Sequence, residues 1–486
     1  MIQKTSNKSS LPVLISVFFF WGYLAASNTI LIPILKSHFE LKQWQSQMVD
    51  FAFYLAYFVG SLIYFLISYS IGDPLGKIGY KKGLILGLII SAIGAIGMVP
   101  ATNSQSILLM LTSLFVIALG FALQQIVANP YVIAIGDPHT GSHRISLAGG
   151  VNSFGTTIGP LILGYAIFGS LKSGDSATIA LTAVQTPFII LCGVFLLVAV
   201  ILSIAKLPPI THHEHVERSM GAFKYPQLVF GMIAIFIYVG VEVTIQSNLP
   251  ALMKKPNMLG LDNSQTVHFI SMYWGSLMIG RWVGAITVFN FSKMKRKVMT
   301  VIVPLIAYAV ILGVNYIKLS SANELDKMND LYYYFPFVLI LIAGFFMAQE
   351  KPARTMMLFA SMAGIMMIIG LLTEGKLAVY SFMSGGLFCS VMWPCIFSLS
   401  LAGLGKYTTQ GSSLLIMMIL GGALIPPLQG YISDQTKDIH LSYIIPVLCF
   451  AYLAFYGWKS KRILKSQGID YDESVGKGVE MVGAEV

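Results

Sequence analysis

The sequence predicts an all-α membrane protein that crosses the bilayer many times, and three observations support this fold class. Of the 486 residues, 56% are hydrophobic and only 11% are charged, whereas soluble domains contain about 25% charged residues. Apolar stretches long enough to span a bilayer as a helix, about 20 residues, recur along the whole chain. The stretch 226–253 is the clearest example, because its one charged residue, Glu242, lies near its middle.

The apolar stretches predict fourteen transmembrane helices in two sets, separated by a polar stretch that begins at Pro208-Pro209. The first set has six spans, at roughly 11–35, 47–71, 83–102, 106–134, 145–170 and 185–206. The second set has eight, at roughly 226–253, 266–290, 298–318, 333–349, 355–373, 377–402, 411–431 and 441–458. We therefore predict four regions: an N-terminal six-helix bundle at 1–206, a cytoplasmic linker at 207–225, a C-terminal bundle at 226–465 and a cytoplasmic tail at 466–486.

The distribution of Lys and Arg predicts the orientation, because cytoplasmic loops are enriched in these residues. With the N-terminus inside, 21 of the 31 Lys and Arg residues fall in cytoplasmic segments and nine fall outside, while Arg281 lies within a span. Both termini are therefore predicted to be cytoplasmic. The same distribution explains the net charge of +10 without a nucleic-acid partner, since no basic stripe with interleaved aromatic residues is present.

Several other classes of protein are disfavoured by the motifs that the sequence lacks. The four cysteines lie in apolar spans without a CxxC pair, so neither a disulfide framework nor a zinc site is predicted. We interpret the histidines at 212–215 as part of a solvated linker and predict no metal site. The first apolar run is too long for a cleavable signal. No HExxH motif or Gly-x-Ser-x-Gly elbow occurs, so we predict that the chain is not an enzyme and has no cofactor.

The two sets of helices repeat one another in sequence. Phe53-Tyr54 followed by Gly60 in the second span matches Tyr273-Trp274 followed by Gly280 in the eighth. Secondary transporters are built from internal repeats of this kind, with a binding site near the middle of the membrane between the repeats. The repeat predicts two pseudo-symmetric six-helix bundles.

The repeat holds only when the spans at 333–349 and 355–373 are left out. These two spans flank the short basic turn 350–354, so we predict an inserted two-helix hairpin at 333–373. Because Met, Phe, Ile and Leu occupy almost all of its faces, we expect the hairpin to lie at the periphery, against lipid or another helix. The alternative is one long broken helix with fewer spans in total.

Short motifs in both sets resemble the fucose–galactose–glucose/H⁺ symporter family of the major facilitator superfamily, in particular its glucose/galactose-type branch. They include Phe20-Trp21-Gly22, Ala128-Asn-Pro-Tyr131, Asn152-Ser-Phe-Gly155, Tyr238-Val-Gly-Val-Glu-Val243, Gly280-Arg281 and Met392-Trp-Pro-Cys-Ile-Phe397. The resemblance covers roughly residues 12–460 without the hairpin, and it implies the fold of that superfamily and a sugar substrate.

The chain departs from the fucose-type pattern at three positions. Thr29 stands where those members carry an acid, Gln125 where they carry a Glu, and Gly149 where a Gln is common. The acids that the resemblance would assign to proton and sugar binding are therefore missing. Glu242, which resembles the glucose/galactose branch, becomes the leading candidate.

Glu242 is the predicted ion-coupling residue, because a carboxylate deep in a span needs a proton, a cation, a partner or water. The alternative is a structural ion pair with Arg281 on the next helix. Either a proton or Na⁺ fits Glu242, and the number of uncharged oxygen donors favours Na⁺. The predicted additional ion ligands are Asp50, Thr29 and Thr244, with Asn28 as a further oxygen donor. For Asp50 the alternative is an acid that faces water at a helix N-terminus.

Amide side chains at membrane depth are the predicted sugar ligands, because an amide offers both donors and an acceptor to sugar hydroxyls. They are Asn28, Gln125, Asn129, Asn152, Gln246 and Asn248. The alternative for each is an interhelical hydrogen bond. Trp21 and Trp393 are predicted to stack on the apolar face of the sugar, although Trp also anchors helices at membrane interfaces.

The sequence therefore predicts a cation-coupled symporter, using Na⁺ or H⁺, that imports a hexose such as glucose or galactose by alternating access. Its predicted partners are the sugar, the cation and the lipid bilayer, and it is predicted to be a monomer in the bacterial inner membrane. The transport alternatives are a fucose or N-acetylhexosamine symporter and a non-sugar exporter of the same superfamily. The alternative outside transport is a membrane sugar sensor, although the tail after Ile463 is too short for a signalling domain.

Overall fold

The computed structural model describes residues 10–41, 48–135, 140–168, 180–207, 221–261, 265–289 and 291–469, and within them it contains helices and no β-strand. The side chains of Ser10, Thr29 and Pro33 are outside this description, as are the histidines of the predicted linker. A helix lies at each of the fourteen ranges predicted from the apolar pattern, although the helix ends differ by several residues.

The described residues up to 207 form seven α-helices. They are α1 (Ser10–His38), α2 (Met48–Ile71), the short α3 (Pro74–Ile78), α4 (Tyr80–Asn103), α5 (Ile107–Ala134), α6 (Gly141–Phe168) and α7 (Gln185–Ile204). The remaining described residues form eleven more. They are α8 (Pro226–Met253), α9 (Val267–Gly284), α10 (Lys293–Ala322), α11 (Met328–Tyr332), α12 (Phe335–Ala348), α13 (Pro352–Leu372), α14 (Gly375–Cys389), α15 (Met392–Leu401), α16 (Thr408–Met417), α17 (Gly421–Thr436) and α18 (Ile444–Ser466).

Twelve helical segments of the described chain are long and apolar enough to cross a membrane. The other two of the fourteen ranges are occupied by α6 and by α9, which is only 18 residues long and includes Arg281. The all-helical membrane fold is therefore established, whereas the count of fourteen spans stays a prediction.

The chain forms two compact units whose membership crosses the predicted boundary at residue 206. The first contains the described residues within Met1–Pro138, Phe154–Ala222 and Lys406–Met417, and the second contains those within His139–Ser153, Phe223–Gly405 and Met418–Val486. The beginning of α6 thus groups with helices that follow it by more than 70 residues. The predicted limits of the two bundles stay a prediction.

Small residues bring α4 and α5 together in the first unit. A Cβ added at Gly94 would lie 2.5 Å from the backbone nitrogen of Ile117, and one added at Gly120 would lie 2.4 Å from the carbonyl oxygen of Gly87. No side chain fits at such distances, so the two backbones touch. Close approach through small residues is the usual way in which membrane helices pack.

Two of the predicted spans in the second set are interrupted rather than continuous. The range 377–402 is divided into α14 and α15 at Ser390 and Val391, and Pro394 follows in the first turn of α15. The range 411–431 falls within α16 and α17, which a 3₁₀ turn at Met418–Leu420 separates. Broken helices are typical of transporter binding sites, and this break places Trp393 at the start of α15.

The peripheral position expected for the 333–373 hairpin is wrong for its second helix. Helix α13 packs along α14, α15 and α18, and it buries Met356, Phe359, Ala360 and Met367 completely. In the first set, α4 packs in the same way along α5 and α7. Helix α10, which packs mainly on α9, is the more exposed member of this region, with Ile306 50% exposed.

Candidate functional site

Glu242 lies on α8 in the interior of the second unit. It is 16 residues from Pro226 and 11 from Met253, or about 24 Å and about 17 Å from the two ends of the helix at 1.5 Å per residue. The residue is 9% exposed. Its Oε1 accepts a 2.9 Å hydrogen bond from the Tyr238 hydroxyl, one helical turn earlier. The Tyr273 hydroxyl donates to the Glu242 backbone carbonyl at 2.7 Å, which fixes this turn of α8 against α9.

Arg281 approaches the same carboxylate from α9. Its Nη2 lies 3.5 Å from Glu242 Oε1 and 3.4 Å from the Tyr238 hydroxyl. The structure thus brings the two charges together, as the ion-pair alternative requires. The Tyr238 hydrogen bond and the 3.5 Å approach of Arg281 both involve Oε1, and Oε2 accepts no hydrogen bond from the residues that the structure describes.

The beginning of α6 holds the other side of the Arg281 guanidinium. Nη1 donates to the Ser153 hydroxyl at 2.7 Å, and it lies 3.4 Å both from Asn152 Oδ1 and from the Gly149 carbonyl oxygen. Asn152, predicted as a sugar ligand, is therefore a partner of the arginine in this conformation. The Arg281 guanidinium thus contacts both Asn152, through Nη1, and Glu242, through Nη2.

Gly149 makes room for Arg281. A Cβ at this position would lie 3.2 Å from Arg281 Cδ and 3.6 Å from Arg281 Nε, so a larger residue would push the arginine away. This contact gives a physical reason for the departure from the fucose-type pattern, in which a Gln is common here.

An aromatic wall borders the cluster of Glu242, Arg281 and Tyr238, which we call the carboxylate cluster. The Trp393 ring lies 6.1 Å from the Tyr238 ring and stacks on Phe397 at 5.6 Å, both measured between centroids. Trp393 is half-buried. Part of its surface is therefore accessible beside Tyr238, as a sugar platform requires.

Thr244, predicted to share the ion with Glu242, faces elsewhere. Residues two apart on a helix point to different sides, and the fully buried Thr244 hydroxyl donates to Gln429 Oε1 on α17 at 3.0 Å. The Gln429 amide in turn donates to the Ser442 hydroxyl at 3.1 Å. Thr244 thus belongs to a buried hydrogen-bond chain between helices, and its role in the ion site stays a prediction that these contacts do not support.

The two polar residues that follow on α8 differ in their availability. Gln246 is half-buried and forms no hydrogen bond within the described residues. The Asn248 amide donates to the carbonyl oxygen of Thr244 in its own helix at 3.0 Å. Gln246 is therefore the more available sugar ligand of the two.

In the first unit, Asn28 and Gln125 each contact a polar side chain of α2. The Asn28 amide donates to Asp50 Oδ1 at 3.0 Å, and the Gln125 amide donates to the Tyr57 hydroxyl at 3.1 Å. The Asn129 amide donates to the Gln125 carbonyl oxygen at 3.0 Å. The amide oxygens of Asn28 and Asn129 are buried and accept no hydrogen bond from described residues, so both are open acceptors.

Trp21 does not have the environment expected of a sugar platform. It is 4% exposed, packs on Phe18 with ring centroids 4.2 Å apart, and donates its indole N–H to Gln124 Oε1 at 3.0 Å. The Gln124 amide in turn donates a hydrogen bond to the Ser91 hydroxyl at 3.2 Å. In this structure Trp21 is thus a packing residue, and its sugar-stacking role stays a prediction that these contacts do not support. The Thr29 side chain lies outside the description, so its predicted role in the ion site stays a prediction.

Sequence reasoning missed several residues that make the polar contacts described above. They include Tyr57, Ser153, Tyr238 and Gln429. Tyr238 precedes Glu242 by four residues, a spacing that places side chains on one helical face, so the sequence contained a signal for it. The others become visible only when two helices are brought together.

Comparison with known proteins identifies similar chains. The family model described as Major Facilitator Superfamily matches residues 13–348. A glucose/galactose transporter of Brucella abortus biovar 1 (strain 9-941) is 33% identical over 451 residues, which cover 92% of this chain and 93% of that protein. An L-fucose-proton symporter of Escherichia coli (strain K12) is 27% identical over 483 residues and 93% of each chain.

A solved structure supports the same fold. The major facilitator transporter FucP in its outward conformation superposes with a TM-score of 0.70 at 23% identity, covering 93% of this chain and 98% of FucP. At this level of identity the similarity establishes the fold alone.

Proposed function

The chain belongs to the Major Facilitator Superfamily, and from this we propose that it is a secondary active transporter that imports a hexose together with a cation. Membership of this transporter family confirms the prediction that the chain is not an enzyme, and the resemblance to its sugar symporters is confirmed. The relatives named as glucose/galactose transporters make glucose or galactose the proposed substrate.

The observation that carries the proposal is the half-satisfied carboxylate of Glu242 in the interior of a membrane span. Its Oε1 accepts the hydrogen bond from Tyr238 and lies 3.5 Å from Arg281 Nη2, whereas Oε2 accepts no hydrogen bond from the described residues. A buried carboxylate in this situation is suited to bind and release a cation. Transport of the sugar and binding of the cation at Glu242 are then linked, and linkage makes the coupling reciprocal.

The geometry favours a proton over Na⁺ at Glu242. A guanidinium 3.5 Å from the carboxylate repels a metal cation, whereas a proton neutralises the carboxylate and needs no further oxygen ligands. Na⁺ requires several oxygen donors, and the Thr244 hydroxyl is directed to Gln429 instead. We therefore propose H⁺ as the coupling ion, in place of the Na⁺ that the count of oxygen donors favoured.

We propose sugar contacts in each unit separately. In the second unit they are Gln246, Asn152 and Trp393, which lie on or beside the carboxylate cluster. In the first unit they are Gln125 and the open amide oxygens of Asn28 and Asn129. Neutral amides next to an aromatic face suit an uncharged polyol, which makes a non-sugar exporter the weaker alternative. Fucose and N-acetylhexosamines remain alternative substrates. Asp50, in the first turn of α2 and hydrogen-bonded by Asn28, remains a second candidate for the ion site.

For the topology, we propose fourteen spans with both termini in the cytoplasm, in the inner membrane of a bacterium. Support comes from the 21-to-nine split of basic residues and from a helix at every predicted range. We propose that the pair additional to two six-helix bundles is α10 with α12, because α13 has the packing partners expected of a core helix. Cysteines introduced at Gly174 and Gly468 of a cysteine-free variant should react with an impermeant reagent from opposite sides of the membrane, and labelling of both from one side would refute this topology.

Transport by the full-length protein in proteoliposomes tests the function. Counterflow with labelled glucose, galactose, fucose and N-acetylglucosamine identifies the sugar, and an imposed proton or sodium gradient identifies the ion. We expect glucose or galactose to accumulate when the outside is acidified and to be unaffected when choline replaces sodium. Binding of sugar without any counterflow would favour the sensor alternative, and accumulation driven only by sodium would overturn the choice of proton.

A further inference from the structure

A cavity of about 630 Å³ lies in the second unit, away from the carboxylate cluster. It is found where α9 and α12 end and where α10 and α13 begin, and neither Glu242 nor Arg281 lines it. Its volume lies within the range of about 300–1,000 Å³ typical of sites for small ligands. The proposed transport reaction makes no use of this cavity.

The cavity has an excess of positive charge. Lys293, Arg296 and Lys297 from the first turns of α10 line it, together with a single carboxylate, Glu350. Arg296 Nη1 contacts both oxygens of Glu350, at 2.8 and 3.1 Å. Neither lysine forms an ion pair within the described part of the chain, and the N-terminal end of α10 adds a positive partial charge. The charges therefore fit an anion.

Arg296 retains an unused donor at this cavity. Its Nε is buried and has no hydrogen-bond partner among the described residues, and a buried donor left without a partner costs about 1–3 kcal/mol. The turn that holds Glu350 against Arg296 is strained, since Gln349 and Glu350 have φ angles of 55° and 61°. Strained non-glycine residues of this kind concentrate at ligand sites.

Apolar side chains also line the cavity. Phe345 and Phe346 from the end of α12 and Ile286 after α9 line it, and Phe346 is 46% exposed. Lys293 and Lys297 come immediately before the apolar part of α10, so the cavity lies at the level where a membrane span begins. Anionic headgroup and acyl chain meet at this level of a bilayer.

We propose that this cavity binds an anionic phospholipid, with its phosphate held by Lys293, Lys297 and the free donor of Arg296. The acyl chains lie against Phe346 and the neighbouring apolar surface. Inorganic phosphate shares the chemistry of the headgroup, but it has no acyl chain to pack against Phe345 and Phe346. By the proposed topology the lipid belongs to the cytoplasmic leaflet, where basic pockets between helices bind anionic headgroups.

The test uses the full-length protein in nanodiscs of phosphatidylcholine with or without phosphatidylglycerol, with native mass spectrometry to count retained lipid. We expect the wild type to retain phosphatidylglycerol and the variant Lys293→Gln/Lys297→Gln to bind it at least tenfold more weakly, since each basic residue near a membrane contributes about 1 kcal/mol. Glu350→Gln should bind it more tightly, because it removes a negative charge and releases Arg296. These opposite effects separate binding from misfolding.

The matched control is Lys461→Gln/Lys465→Gln, which removes the same charge from exposed positions near the end of α18. It should retain phosphatidylglycerol as the wild type does. Equal loss in the two double variants would overturn the proposal, because it would indicate unspecific attraction. Stabilisation by millimolar inorganic phosphate in pure phosphatidylcholine, without retention of phosphatidylglycerol, would overturn the lipid assignment in favour of a soluble anion.

Discussion

The guanidinium of Arg281 donates its shortest hydrogen bond, 2.7 Å, to the hydroxyl of Ser153. Its distance to the Glu242 carboxylate is longer, at 3.5 Å. The position of Arg281 is therefore set largely by α6, and a change of charge on Glu242 does not release it. Under the proposed function, Arg281 is a fixed positive charge beside the carboxylate that binds and releases the proton.

Gly149→Ala should slow uptake without unfolding the protein. The added Cβ would lie 3.2 Å from Arg281 Cδ, so the arginine must shift by a few tenths of an ångström and its bond to Ser153 lengthens. We expect the initial rate of sugar uptake to fall about two- to tenfold, equivalent to about 0.4–1.4 kcal/mol, with little change in melting temperature.

Gly193→Ala is the matched control for this substitution, because a Cβ at Gly193 meets no atom within 4 Å. It should leave uptake unchanged and slightly raise stability, since Gly within a helix costs about 0.5–1 kcal/mol relative to Ala. Equal loss of uptake in both variants would mean that added helix rigidity, and not the displacement of Arg281, is the cause.

Thr244→Val should destabilise the protein without changing its ion dependence. The substitution removes the donor to Gln429 Oε1, which is fully buried. Hydrogen bonds between membrane helices contribute about 0.6 kcal/mol on average and up to about 1.7, so the melting temperature should fall by a few degrees. Thr112→Val, at an exposed hydroxyl that bonds only to its own helix, should have no effect. A selective loss of sodium-dependent uptake in Thr244→Val would restore Thr244 to the ion site.

Gln246→Ala should weaken sugar binding at unchanged stability. Gln246 has no hydrogen bond to lose within the described residues, so its removal leaves no partner unsatisfied. If it binds a sugar hydroxyl, the loss is about 1–3 kcal/mol, and KM should rise about 5- to 150-fold. Asn248→Ala, whose amide is bonded to its own backbone, serves as the comparison. An unchanged KM in Gln246→Ala would remove this residue from the sugar site.

The contact between Lys255 and Asp438 should make stability depend on pH only in the acid range. Lys255 donates a 2.6 Å hydrogen bond to Asp438 and lowers the pKa of that carboxyl. A carboxyl with a lowered pKa contributes its full stability above the unfolded value, about 3.9, and loses it as pH falls through the folded value. The difference in melting temperature between the wild type and Asp438→Asn should be constant from pH 8 to pH 5 and shrink below about pH 4.

The pair is partly exposed, so this difference should be small and should decrease with added salt. Asp434→Asn, at an exposed acid of the preceding helix without an ion pair in the described chain, should match the wild type at every pH. A melting-temperature difference between the wild type and Asp438→Asn that grows from pH 8 to pH 5 would contradict a stabilising Asp438 carboxylate with a lowered pKa.

The positions of the helices could be predicted from the sequence because an apolar run of bilayer length has few other structures open to it. The proximity of Glu242 and Arg281 could be predicted as well. Two opposite charges at similar depth on consecutive helices reduce the free-energy cost of placing each charge within the membrane when they pair. The separation of Thr244 from Glu242 was also accessible, because residues two apart on a helix do not share a face.

The packing of the helices could not be predicted in the same way. Helix α13 is apolar on all sides, and an apolar side chain is equally suited to lipid and to a neighbouring helix. Hydropathy therefore did not reveal that Phe359 and Met367 are buried against protein. The hydrogen bond from Trp21 to Gln124 joins residues 103 positions apart, and no local pattern encodes such a partner.

Glu242→Gln gives the strongest test of the coupling site. Glutamine preserves the shape and can still accept the hydrogen bond from Tyr238, but it binds no proton and leaves the Arg281 charge uncompensated. We expect accumulation of sugar against a gradient to be abolished, while downhill exchange of labelled for unlabelled sugar persists, because exchange does not require the cation to dissociate. Glu374→Gln, at an exposed carboxylate that contacts Asn257, should accumulate sugar as the wild type does.

The outcome of Glu242→Gln also separates the proposed role from the structural alternative. If Glu242 serves only to neutralise Arg281, the variant leaves a buried charge unpaired and should lose about 3–5 kcal/mol of stability, and any protein that folds should accumulate sugar normally. Adding Arg281→Gln to Glu242→Gln, which gives a double variant, then restores stability without affecting coupling. If Glu242 carries the proton, the double variant stays unable to accumulate sugar even when its melting temperature recovers, because no group at this position binds and releases the proton. Accumulation and melting temperature measured on the same preparations therefore decide between the two roles.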